Sequence, residues 1–138
     1  MEGTQRLETI KFNNPKIPTP VAPIVVAKRV DPSAPLIYVS GQIGINPETK
    51  KLPESVEEQT IQAMNNLQTI LNDASSSLDH IIKAIVYLVD MEDFTKVNGE
   101  YAKFFKDGNL PTRVCIAVKA LPLGAKVEID VTAVERSK

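Results

Sequence analysis

The chain has 138 residues, 43% hydrophobic and 24% charged, an ordinary balance for a globular chain with one core and unlike that of a disordered one. Sixteen basic and seventeen acidic side chains leave a net charge of −1, so the totals carry no electrostatic footprint for a phosphate backbone. The opening MEGTQRLETI lacks the apolar core of a signal peptide, and no run approaches the ~18 apolar residues of a membrane span; one soluble, cytoplasmic domain over residues 1–138 is expected.

In chain order, LETIKF at 7–12 and IVVAKRV at 24–30 read as strands, with the proline-rich NNPKIPTPVAP between them as extended loop or edge. LIYVSGQI at 36–43 is a stronger strand, and the glycine inside it signals a bulge or a close backbone approach. GINPETKKLPES is turn chemistry. Ser55-Val-Glu-Glu58 then matches a helix capping box. Ile61, Met64, Leu67 and Leu71 follow at helical spacing, flanked by Ile70 and Ala74, and predict a helix to about Asp73. IIKAIVYLV at 81–89 is nearly continuous and predicts a strand covered on both faces. A second helix fits 93–106, with Phe94, Val97, Tyr101, Phe104 and Phe105 on its core side and Gly108 closing it. Two last strands, at about 112–119 and 126–135, complete an order β-β-β-α-β-α-β-β, and an α+β sheet with two helices on one face follows.

Those last strands hold charges among apolar residues. Period-two alternation puts Val114, Ile116, Val118 and Ala120 on one face and Arg113, Cys115, Ala117 and Lys119 on the other. In the next strand Val127, Ile129, Val131 and Ala133 oppose Glu128, Asp130 and Thr132. The two apolar faces are expected under the helices. The two mixed faces suit either solvent or the matching face of another subunit. In a simple hairpin turning at 122–125, Arg113 and Glu128 would stand roughly 20 Å apart. They meet only if the strands are not hairpin neighbours or if they come from different subunits. Cys115, the single cysteine, excludes an internal disulfide, and His80, the single histidine, excludes a two-histidine zinc site within one chain.

YVSGQIGINPETKKLP at 38–53, Val97-Asn98 in the second helix and PTRVCIAVKALPLGAKVEIDVTAV at 111–134 resemble the RidA/YjgF reactive-intermediate deaminases, from about residue 8 to the end. The resemblance implies a chorismate-mutase-like fold, a homotrimer whose sheets face inward, and ligand pockets in the clefts between subunits. It implies hydrolysis of short 2-imino acids or enamines, such as 2-aminoacrylate and 2-iminobutanoate, to 2-keto acids and ammonia, with no metal or organic cofactor, while the charge balance and hydropathy already argue against a nucleic-acid or membrane partner. Mapped onto this chain, Arg113 grips the substrate carboxylate through its planar fork, and Glu128 holds and polarises the attacking water. Backbone near Gly41 and Cys115 bonds the ligand, and Ser40 and Asn98 occupy lesser pocket positions. Cys115 otherwise reads as a small buried hydrophobe, His80 as a surface or helix-end residue, and Tyr101, Phe104 and Phe105 as core.

Three positions depart from the family's pattern. Its early-strand tyrosine, which closes the pocket, corresponds here to Ile24; a proline after Ser-Gly-Gln-Ile is replaced by Gly44; and Val114 stands where serine is usual. Two readings stay open beside the enzyme. One is a non-catalytic, regulatory trimer that keeps the carboxylate clamp. The other is RNA cleavage or translation inhibition, disfavoured by the neutral charge and the absence of a base-stacking motif.

Overall fold

The computed structural model describes residues 6–106 and 108–137. Its strands are β1 (Leu7–Thr9), β2 (Lys28–Val30), β3 (Leu36–Ile43), β4 (Ile81–Leu88), β5 (Thr112–Ala117) and β6 (Val127–Val134), with helices α1 (Val56–Asp73) and α2 (Phe94–Ala102). The expected order and α+β class hold. β3, β6, β4 and β5 form one mixed sheet in that spatial order, with β4 and β5 parallel and the other pairs antiparallel. β1 and β2 pair separately.

Both helices lie on one face. α1 begins as its sequence dictates: Ser55 Oγ accepts from the Glu58 N–H at 3.1 Å, and the hydroxyl also donates to the Glu58 carboxylate at 3.3 Å. Ala63, Met64, Leu67 and Leu71 bury against Ile81, Ala84, Val86 and Leu88 of β4 and Val127, Ile129, Val131 and Ala133 of β6. Ile61, expected in that stripe, instead lies at its exposed margin. In its place Gln59 is buried: its amide donates to Pro53 O and its carbonyl accepts from the Lys126 N–H, each at 2.8 Å, tying the β3–α1 loop to the start of β6.

Several expectations change. The strand proposed for 24–30 shrinks to 28–30 because upstream backbone is used elsewhere, the Val25 N–H donating to Pro111 O at 3.3 Å. α2 ends at Ala102 and gives way to turns over the residues up to Lys106, and Gly108 has a φ of +70° that suits glycine. β4 is covered on one face only: Ala84, Val86 and Leu88 are buried, whereas Ile85 and Tyr87 are half-buried on the open side. The largest correction concerns β5. Its parallel register sets Arg113 beside Ala84 and Cys115 beside Val86, so Arg113 and Cys115 face the helices. Val114 and Ile116, expected beneath them, turn outward and stay 41% and 42% exposed. With Leu36 and Tyr38 of β3 at the opposite edge they leave exposed apolar side chains on an open face whose middle, Glu128, Asp130 and Thr132 of β6 with Ile85 and Tyr87 of β4, is mixed.

Gly44 packs directly on α1. A Cβ there would fall 2.8 Å from Gln59 Cα and nearer still to its carbonyl oxygen, so neither alanine nor the proline usual at this point fits without displacing backbone. Gly44→Ala is expected to lose about 1–3 kcal/mol of stability, read as a lower urea midpoint at unchanged slope.

Candidate functional site

Arg113 enters from β5 toward α2. Its guanidinium carbon lies 4.9 Å from the centre of the Tyr101 ring and 5.9 Å from that of Phe94. Among the described residues it joins no ion pair, and its Nη1 is buried without a hydrogen-bond partner. Asn98 Oδ1 and the Tyr101 hydroxyl, on the same helix, are likewise buried and unpartnered. Three orphaned polar atoms at one helix–strand seam are unusual, because each forfeits its bond to water without replacement. Burial pulls the Arg113 pKa below its ordinary value, with Tyr101 and Cys115 opposing. Burial pushes the Cys115 thiol up, with Arg113 opposing, so it stays protonated at neutral pH. That accords with a small half-buried hydrophobe, and Cys115 does pack against the core.

Glu128 lies on the opposite face. It sits beside Tyr87 of β4 and Ile43 of β3, among the half-buried side chains of the open side. The pairing of β3 with β6 slips between Val39 and Gln42, a bulge that holds Ser40 and Gly41. A Cβ on Gly41 would stand 2.8 Å from Glu128 Cδ and collide with Oε2. The glycine within the strand thus has a direct cause: the carboxylate occupies the space a side chain would take. Gly41→Ala is expected to swing the carboxylate aside. A crystal structure of the variant should show the displaced carboxylate with the pairing of β3 and β6 unchanged.

Two groups therefore form on one chain: Arg113, Asn98 and Cys115 on the helix side, and Ser40, Gly41 and Glu128 on the open side. β5 and β6 are not hairpin neighbours, since β4 runs between them. This does not bring Arg113 to Glu128. Arg113 aligns with buried Ala84 and Glu128 with Tyr87, so the sheet itself separates them. Ile24 reaches neither group through a hydrogen bond, but with Val25, Thr112, Arg113 and Val114 it lines an open cleft of about 740 Å³ along the β5 edge. His80 ends a short 3₁₀ turn, its Nδ1 2.7 Å from Ser77 Oγ, and burial lowers its pKa.

The sequence model of the family described as endoribonuclease L-PSP matches residues 16–135, nearly the whole chain. The protein belongs to this family, that of YjgF and RidA. A family relative from Aquifex aeolicus, described as a RutC family protein, is 42% identical over 126 residues, 91% of this chain and 98% of its own. The mouse 2-iminobutanoate/2-iminopropanoate deaminase is 40% identical over 121 residues, 87% of each chain. The crystal structure of E. coli TdcF with bound serine superposes with a TM-score of 0.70 at 35% identity, over 84% of this chain and 94% of that one. Among the described residues, no helix is long and apolar enough to cross a membrane.

Within this family fold, Phe94 and Tyr101 are the site neighbours that sequence reasoning missed. In the sequence both read as core packing. The available signal was their spacing around Asn98, four residues before and three after, which sets all three on one helix face.

Proposed function

We propose that the protein hydrolyses short 2-imino acids and their enamine tautomers to 2-keto acids and ammonia, in clefts between the copies of a homotrimer. What supports this most is the buried guanidinium of Arg113, unpaired at Nη1, together with a carboxylate that the sheet keeps on the other face. The exposed apolar side chains at the two edges of the open face, Leu36 and Tyr38 on β3 and Val114 and Ile116 on β5, support assembly, since another copy can bury them while carrying its own Glu128 toward a neighbour's Arg113. The relatives named as imine deaminases support the chemistry.

In this reading Arg113 takes the substrate carboxylate by two parallel hydrogen bonds. Asn98 Oδ1 accepts from the imine N–H, which would favour an imine over the corresponding keto acid. Glu128 of a neighbouring copy takes a proton from water as its oxygen adds to the imine carbon and the C=N pair moves to nitrogen, giving a carbinolamine. The same carboxyl returns that proton to nitrogen, completing the carbinolamine, and then relays the hydroxyl proton to the amine, so that the C–N bond breaks with ammonia leaving as the carbonyl forms. Imines hydrolyse readily in water, so positioning and one proton-transfer group suffice, and neither metal nor organic cofactor is required.

The test is a coupled assay in which threonine dehydratase supplies 2-iminobutanoate and 2-ketobutyrate release is followed with an imine scavenger present. The protein should accelerate release. Carboxylate binding without acceleration would select a non-catalytic, regulatory trimer, which the aliphatic Ile24 beside the Arg113 cleft favours. The family's description also carries RNA cleavage, and scission of a labelled RNA by the same preparation, lost with Arg113→Ala, would select that reading.

A further inference from the structure

We propose that Tyr101 and Phe94 are the positioning residues of the anion clamp, holding the Arg113 guanidinium between their ring faces; this rests on the reading of Arg113 as the carboxylate-binding group. A buried arginine ordinarily needs a carboxylate beside it, and that partner would also cancel the charge a ligand must feel. Here the guanidinium carbon stands 4.9 Å from the Tyr101 ring centre and 5.9 Å from that of Phe94, and no ion pair forms among the described residues. Ring faces attract a cation through their quadrupole and fix its plane, yet carry no net charge. The fork is thus held and stays fully charged, with Nη1 unpaired.

Tyr101 is itself firmly seated. It is 1% exposed, and its ring packs on Phe105 at 5.0 Å between centres. Burial pushes its phenol pKa up, so the ring offers a neutral face at working pH. Its hydroxyl has no partner among the described residues, so the platform is assigned to the ring, and phenylalanine should serve in its place.

Calorimetric binding of 2-ketobutyrate, an unreactive carboxylate probe, tests this without turnover. Tyr101→Leu should weaken binding about tenfold, Phe94→Leu about threefold, and Tyr101→Phe should restore affinity to near wild type. In the imine assay the losses should fall on KM rather than kcat, at an unchanged oligomeric state. A Tyr101→Leu chain that binds as wild type overturns the inference. So does a Tyr101→Phe chain that loses as much as Tyr101→Leu, which would assign the effect to the hydroxyl. If Tyr101→Leu fails to fold, wild-type affinity in Phe94→Leu, which changes a half-exposed ring, is enough to overturn it. A wild type that binds the keto acid without hydrolysing imines removes the deaminase reading and leaves this inference standing; one that binds no carboxylate removes both.

Discussion

Arg113→Ala and Glu128→Gln chains, each inactive alone, are expected to regain about a quarter of wild-type turnover when refolded together in equal amounts. The expectation follows from the pleat. Arg113 shares a face with Ala84 and Glu128 with Tyr87, and those faces are opposite sides of one sheet. A site using both must draw them from different copies. In a random mixture, half of the arginine-side positions are intact and half of the glutamate-side positions are intact, so about one seam in four carries both. Were both groups drawn from one chain, every site would hold one defect and mixing would restore nothing. Turnover in the mixture, set against each parent at equal total protein, separates the two.

Arg113→Met is expected to weaken 2-ketobutyrate binding about 30-fold to 1,000-fold while leaving the fold at least as stable. The affinity loss reflects removal of a buried, unpaired guanidinium, the one planar fork among the cations lining the cleft, beside which Lys28 and Lys83 offer only point charges. The stability gain reflects the other side of the same burial. Desolvation lowers the guanidinium pKa, and Nη1 is buried unpaired, so the native chain carries an unfavourable contact that a ligand relieves. Methionine fills the stem's volume and carries no charge. Binding by calorimetry and the melting temperature of the ligand-free protein should move in opposite directions. A destabilised Met variant would mean that the rings outweigh the desolvation.

The order of elements and the capping of α1 were legible because they are local: turn residues, a Ser-x-x-Glu box and apolar spacing each act within one or two turns of chain. The facing of β5 was not legible. Val114 and Ile116 are its most apolar side chains, and hydropathy alone turns them inward. Yet facing is set by the parallel register with β4, a contact across the crossover helix that leaves no mark in the strand itself. The same non-local origin hid the aromatic seat of Arg113, supplied by α2, and the contact of Gly41 with Glu128, set by how β3 pairs with β6. Residues 24–27 misread for another reason. Their β-branched composition is strand-like, but the Val25 N–H bonds the loop before β5 rather than a sheet neighbour. Arg113, Glu128, Gly41 and Asn98 were visible through the family resemblance, whereas their division between the two sides of the sheet required coordinates.

The ring beneath the guanidinium belongs equally to the interior, where it packs at a tilt against Phe105 within the same core cluster as the buried residues of α1. Ligand grip is thereby geared to how tightly that interior is held. On warming, side-chain rattling around Phe105 should reach the arginine well before cooperative melting, so carboxylate affinity fades at temperatures where circular dichroism still reports an intact chain. Substitutions at Phe105, remote from any solvent cleft, should then register first as a looser hold on anions and only later as lost thermal resistance.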